Sequence, residues 1–201
     1  MPTESVISLQ RIKRNTAMIE IRGTAPLIVH QWSEKAVLEM LGKMQGKKAP
    51  KVAKDPDAEF QASRYQFADG SGDGFPVDGF KKAVVVGGGR IFGRSVKMTE
   101  LRQNLLFIAD GLSTRGQQLT AIVSGEPEMR QDTVRVGMGG TDVRFRAMFK
   151  EWSATLRVDY IEGLMDLNSI VALVEAGGTN GIGEWRPEKS GTFGTFEVVG
   201  A

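Results

Sequence analysis

Val143-Arg144-Phe145-Arg146-Ala147-Met148-Phe149-Lys150 and, two residues on, Trp152-Ser153-Ala154-Thr155-Leu156-Arg157-Val158-Asp159-Tyr160 decide the fold. In the first run Val143, Phe145, Ala147 and Phe149 fall on one side of an extended chain. Arg144, Arg146, Met148 and Lys150 fall on the other. In the second run Trp152, Ala154, Leu156, Val158 and Tyr160 alternate with Ser153, Thr155, Arg157 and Asp159. A period of two belongs to strands, whose successive side chains point to opposite faces. Set side by side, the two runs predict an antiparallel pair with one apolar and one wet face. The wet face would carry Arg144, Arg146, Lys150 and Arg157, joined by Arg130 and Arg135. Such a guanidinium-lined stripe suits a phosphate backbone. The alternative is a solvated face balanced by Asp132, Asp142, Glu151 and Asp159.

Toward the N-terminus, Ala17, Ile19 and Ile21 alternate with Met18, Glu20 and Arg22, which predicts another half-buried strand. A turn with the apolar patch Pro26-Leu27-Ile28-Val29 follows. Ser33 then caps an amphipathic helix over 34–45, with Val37, Leu38, Leu41 and Met44 at helical spacing. Lys43, Lys47, Lys48, Lys51 and Lys54 precede Asp55, Asp57 and Glu59, with Pro50 and Pro56 between them. This segregation of charge predicts an exposed, mobile insertion over 46–75, whose lysines could also reach a strand of nucleic acid. Asp69 to Gly74 is turn chemistry. Residues 75–86 are read as a helix behind Pro76. Leu105 to Ile108 and 118–124 are read as strands. Toward the C-terminus, Leu167-Asn168-Ser169 starts a helix whose Ile170, Leu173 and Val174 face inward. Gly177-Gly178 is expected to end it, and a strand over 192–199 closes the chain. Strands, an insertion and a final strand–helix–strand unit predict an α+β fold with helices on one face of an antiparallel sheet. The ferredoxin-like or RNA-recognition-motif type is the best known such arrangement.

Between the last helix and the last strand runs Gly181-Ile182-Gly183-Glu184-Trp185-Arg186-Pro187-Glu188-Lys189-Ser190-Gly191-Thr192-Phe193-Gly194-Thr195-Phe196. Gly181, Gly183 and Gly191 allow a backbone to approach a ligand closely. Arg186 and Lys189 offer cations, and Trp185 a flat ring on which a base can stack. The alternative is a tight turn with Trp185 tucked into the core. Another glycine tract, Gly87-Gly88-Gly89-Arg90-Ile91-Phe92-Gly93, follows three valines. It lacks the βαβ surroundings of a dinucleotide loop, and a glycine hinge or hairpin turn is expected there.

This C-terminal unit resembles the glycine-rich loop of the RAMP superfamily, the ferredoxin-like proteins that include backbone and processing subunits of CRISPR effector complexes. The opening strand running into Gly23-Thr24-Ala25-Pro26-Leu27-Ile28 is similar to their first strand and turn. The phrase from Gly181 to Phe196 is also similar to uncharacterised proteins of tailed bacteriophages. The loop is longer than the family's usual spacing and contains Pro187. The resemblance implies a single RAMP-like domain over 1–201 that binds single-stranded RNA or DNA along a positive groove. It also implies a homo-oligomer of identical subunits in a row, and a phage-encoded protein in the cytoplasm of a bacterial host. Processing members keep a general acid–base histidine near the position of His30, the only histidine here. An imidazole titrates near neutrality without help. The alternative to non-catalytic binding is therefore a metal-independent endoribonuclease using His30 with Tyr65 or Tyr160 and Lys35. A third alternative is a phage structural or interaction protein that binds no nucleic acid.

Composition bounds these readings. At 201 residues the chain is long enough for one large domain. A net charge of +2 excludes a histone-like polycation, so any nucleic-acid footprint must be local. The absence of cysteine excludes disulfides and thiolate ligands. With one histidine and no EF-hand spacing, no metal or other cofactor is expected. No apolar run approaches the ~20 residues of a spanning helix, and Met1 to Asn15 lacks a signal-peptide core. No membrane partner is expected, and a cytoplasmic location is.

Overall fold

The computed structural model describes Leu9 and residues 11–46, 53–136 and 140–200. In chain order the elements are β1 (Arg14–Gly23), β2 (Leu27–Val29), α1 (Glu34–Met44), α2 (Pro56–Ala62), β3 (Gly74–Pro76), α3 (Val77–Ile91), α4 (Met98–Asn104), β4 (Leu106–Ile108), β5 (Gly111–Leu112), β6 (Gln118–Ala121), β7 (Val123–Ser124), β8 (Glu128–Val136), β9 (Gly140–Phe149), β10 (Trp152–Ile161), α5 (Leu167–Asn180), a 3-10 turn (Pro187–Lys189) and β11 (Phe196–Val198). The chain is a mixed α+β structure of antiparallel open sheets and helices.

The central sheet runs β11-β1-β10-β4, with β7 on the end of β10. All its pairings are antiparallel. β1 lies along β10 with Ile19 opposite Leu156, so the apolar phases of the two strands coincide on one face. Ala17, Ile19, Ile21, Ala154, Leu156 and Val158 are buried there in one cluster with Phe80 and Val84 of α3 and Ile170 and Val174 of α5. The opposite face is wet: Thr16, Glu20 and Thr155 are exposed, and Met18 is 63% exposed.

α3 and α5 approach closely because both carry glycine where they cross. A Cβ at Gly87 would overlap the carbonyl oxygen of Ala176, and one at Gly177 would lie 2.9 Å from the Val84 backbone. A Cβ at Gly178 would overlap the carbonyl oxygen of Phe196 in β11. Two expectations are corrected here. Gly177-Gly178 does not end the last helix. α5 continues through them to Asn180, stops at Gly181, and starts behind Asp166, whose Oδ1 accepts from the Ser169 amide at 2.7 Å. Likewise, Gly87 to Arg90 is neither hinge nor hairpin but the interior of α3. These glycines give helices room to touch.

β9 and β10 are both strands, but they do not pair. β10 already has β1 along one edge and β4 and β7 along the other. A strand has only two edges, so β9 joins a second sheet, β2-β9-β8. There Ala147 stands between Val29 and Met129. A small third sheet, β3-β6-β5, sits beside them.

Residues 53–75 are exposed over much of their length, as expected, but they are not without structure: they form α2 and β3 and are tied to the second sheet. Asp55 caps α2 by accepting from the Ala58 amide at 3.1 Å. Phe60 leans on the core, and buried Ser63 Oγ accepts from the Ala147 amide at 2.8 Å. Arg64 holds Asp73 with two nitrogens, at 3.0 and 2.6 Å. Segregated charge at the start of the segment concealed an ordered helix behind it. Lys47, Lys48, Pro50 and Lys51 lie outside the described residues.

Candidate functional site

The glycine-rich loop begins where α5 stops. Ile182 drops into the core, 2% exposed, and its amide donates to the Gly194 carbonyl at 2.9 Å. Gly194 in turn donates to Pro26 O at 2.8 Å, and Glu184 donates to Ile28 O at 2.9 Å. The loop is thus zipped to the chain leaving β1. Gly183 makes this possible: its φ is 75°, and a Cβ there would lie 2.5 Å from the Ile28 carbonyl oxygen.

Trp185 follows with φ 53°, and Ser190 has φ 63°. Among the described residues these are the non-glycine positions with positive φ. An L residue reaches that region only where its surroundings impose it. Here the Trp185 carbonyl accepts from the Phe193 amide at 3.0 Å, and a Cβ at Gly191 would overlap that carbonyl. The indole is left 43% exposed. Arg186 is turned inward: Nε and Nη2 donate to Glu188 Oε2 at 2.8 and 2.7 Å, and Nη1 donates to Gly183 O at 2.8 Å. Lys189 is exposed. Gly181, Gly183, Trp185, Arg186, Lys189 and Gly191 therefore lie in one turn, whose backbone Arg186 bonds at Gly183 O.

Beneath the turn lies a pocket of about 180 Å³ lined by His30, Tyr65, Lys82, Asn180, Glu184 and Glu188, among others. His30 Nδ1 stands 3.7 Å from Glu184 Oε1. Tyr65 donates its hydroxyl to the His30 carbonyl at 3.3 Å. Lys82 Nζ is 3.8 Å from Glu188. His30 beside it holds the Glu184 carboxyl below the usual carboxylate range against the opposing effect of burial, with Arg146 and Arg144 assisting. Burial, then the Glu184 charge, pushes the Tyr65 hydroxyl up.

The arginine stripe is dispersed. Arg146 is 2% exposed, with Nη1 3.5 Å from Asp132 Oδ2, and its Nε lacks a hydrogen-bond partner among the described residues. Burial lowers its pKa. Arg144 faces Asp142 at 3.8 Å, and Lys150 pairs with Glu128 at 2.8 Å. Arg157 belongs to the central sheet and donates to Ala109 O at 3.0 Å. Arg130 covers the Phe193 ring at 4.8 Å and bonds Asp132 at 2.9 Å. This face of the second sheet packs toward the glycine-rich loop.

His30 and Tyr65 meet. Tyr160 does not join them; it lines a separate depression with Asn15 and Glu162. The side chain of Lys35 lies outside the described residues. Sequence reading missed Glu184, Lys82 and Asn180 as neighbours of His30. The Glu184–Ile28 backbone bond brings Glu184 to His30 across the chain, and no local spacing announces it. Among the described residues no group of three or more His, Asp or Glu is placed to hold a metal ion. Among them, no helix is long and apolar enough to cross a membrane. No protein-family model and no curated protein matches the sequence.

Proposed function

We propose that the chain is a ferredoxin-like module of the RAMP type that binds single-stranded nucleic acid at its glycine-rich loop without cutting it. The fold reading is supported by the order β1, α3, β4, β10, α5, β11, which is β-α-β-β-α-β, together with the strand sequence β11-β1-β10-β4. The observation that carries the binding reading is Trp185. A large aromatic is held at positive φ on a braced turn and still offers its indole to solvent. Backbone strain maintained to expose an aromatic points to a ligand with a flat face. Exposed Lys189 is the loop cation available to phosphate, and Arg186 keeps the turn in shape. Contacts of this kind tolerate any sequence, because every base has a π-face. Exposed Leu38, Leu41 and Met44 on α1 support assembly of copies side by side.

Binding of fluorescent single-stranded oligonucleotides tests this. Affinity should fall with salt, with a log–log slope of about −0.7 per phosphate neutralised. Trp185→Ala should weaken every sequence alike by about 1–3 kcal/mol. Affinity indifferent to salt and to Trp185 ends the proposal.

The His30–Glu184 pair favours a second reading, metal-independent RNA cleavage. A carboxylate beside Nδ1 orients the imidazole and leaves Nε2 to take the proton of a 2′-hydroxyl. The freed O2′ attacks the adjacent phosphorus, the P–O5′ bond breaks, and the departing O5′ takes up a proton. Labelled RNA should then shorten without divalent ions, DNA should stay intact, and His30→Ala should abolish the cleavage. RNA that survives long incubation removes this reading.

A further inference from the structure

We propose that the pocket under the glycine-rich loop receives one unpaired nucleobase of the bound strand, its edge against Glu184, while a neighbouring base stacks on Trp185. The inference deepens the single-strand reading and rests on it.

Size comes first. At about 180 Å³ the pocket is smaller than the roughly 300–1,000 Å³ of sites for drug-sized ligands, so it suits a single ring system. Charge comes second. Lys82 and Arg186 are matched by Glu184 and Glu188, and both cations contact Glu188. A phosphate entering here would meet two carboxylates, whereas a neutral ring would not be repelled. The walls suit a ring as well: Phe75, Ala83 and Ile182 are apolar, and Tyr65 stands edge-on to Phe75 with centroids 6.0 Å apart.

The polar groups are few and directional, as in small-molecule sites. Asn180, at the end of α5, is 5% exposed. Its Oδ1 accepts from Arg90 at 3.1 Å, but its Nδ2 has no hydrogen-bond partner among the described residues. The Glu184 carboxylate can only accept, so the edge facing it must donate. Cytosine offers an exocyclic amine where thymine and uracil carry a carbonyl. The pocket should therefore favour cytosine over thymine or uracil. Trp185 lies between Glu184 and Arg186 in the chain, about 3.8 Å from each along Cα atoms. One strand can thus reach platform and pocket together.

The test compares oligo-dC with oligo-dT of equal length at one salt concentration, using the whole chain and fluorescence anisotropy. Oligo-dC should bind roughly tenfold or more tightly, the discrimination expected of a well-placed edge contact. Glu184→Gln should erase or invert that ratio, since an amide can donate to the thymine carbonyl. Trp185→Ala should weaken both oligonucleotides and keep the ratio. Equal affinities in the unaltered protein, with Trp185→Ala still weakening both, would overturn the pocket and leave strand binding standing. A ratio that survives Glu184→Gln also overturns it. If Glu184→Gln does not fold, the ratio in the unaltered protein decides alone. Failure of either oligonucleotide to bind at low salt removes both readings.

Discussion

The central sheet and the second sheet use the same alternating pattern to opposite ends. In β10 the residues between the core positions, Ser153, Thr155 and Asp159, stay partly or fully exposed on a face that no helix covers. In β9 the residue in the equivalent phase, Arg146, is sealed beside Asp132 against the glycine-rich loop. A polar side chain in water costs nothing. One under a lid must be paired, since water no longer solvates it. Alternation therefore sorts residues onto faces; the rest of the chain decides which face stays wet.

The largest effect that could break this comparison is at Arg146. Arg146→Ala leaves Asp132 buried with one partner fewer, and should cost about 3–5 kcal/mol in denaturant unfolding. Replacing both, as Arg146→Met with Asp132→Leu, should restore most of that loss. A loss under about 1 kcal/mol for Arg146→Ala would mean that the second sheet is as wet as the first. Next is Gly178→Ala on the core side of the central sheet. Its methyl must displace the Phe196 carbonyl, and overpacking of this kind costs about 1–3 kcal/mol or more. An unchanged unfolding midpoint would show that α5 and β11 are not in close contact.

Those two sites also mark what the sequence could reveal. β1, α1 and β10 were legible because their apolar residues recur at the period of the element, and the first part of α3 from its start behind Pro76; β4 showed only as a short apolar run. The glycine-rich loop was legible as a feature because its residues are contiguous. What stayed hidden depends on partners far along the chain. The burial of Arg146 requires the loop. The role of Gly177-Gly178 requires Val84 and Phe196, and without them a glycine pair reads as a helix stop. The separation of β9 from β10 requires both edges of β10 to be taken. The His30–Glu184 contact requires the pairing of Glu184 with Ile28.

A third effect is pH-dependent. The Glu184 carboxyl titrates lower in the folded chain than in the unfolded one. Its contribution to stability is therefore complete above the ordinary glutamate value of about 4.3 and fades as pH falls below it toward the folded value. Glu184→Gln should lower stability at neutral pH, where the carboxylate's contribution is complete, change it least at low pH, and so flatten that part of the acid limb in thermal unfolding. An identical acid limb would remove Glu184 from the cation cluster of His30, Arg144 and Arg146. The smallest effect is expected at the exposed Lys150–Glu128 pair. Lys150→Ala should change stability by about 0–1 kcal/mol in the same unfolding assay, as surface pairs do. A larger loss would place this corner of the second sheet under cover as well.

Tryptophan fluorescence reads the half-exposed indole of Trp185 directly. Titrating the protein with a single-stranded oligonucleotide should quench emission as a base stacks on that ring. In Trp185→Phe, Trp32 and Trp152 remain to report, the quench should vanish, and anisotropy should still register binding. Quenching that persists unchanged in Trp185→Phe, or binding with no quench in the unaltered protein, would contradict the account.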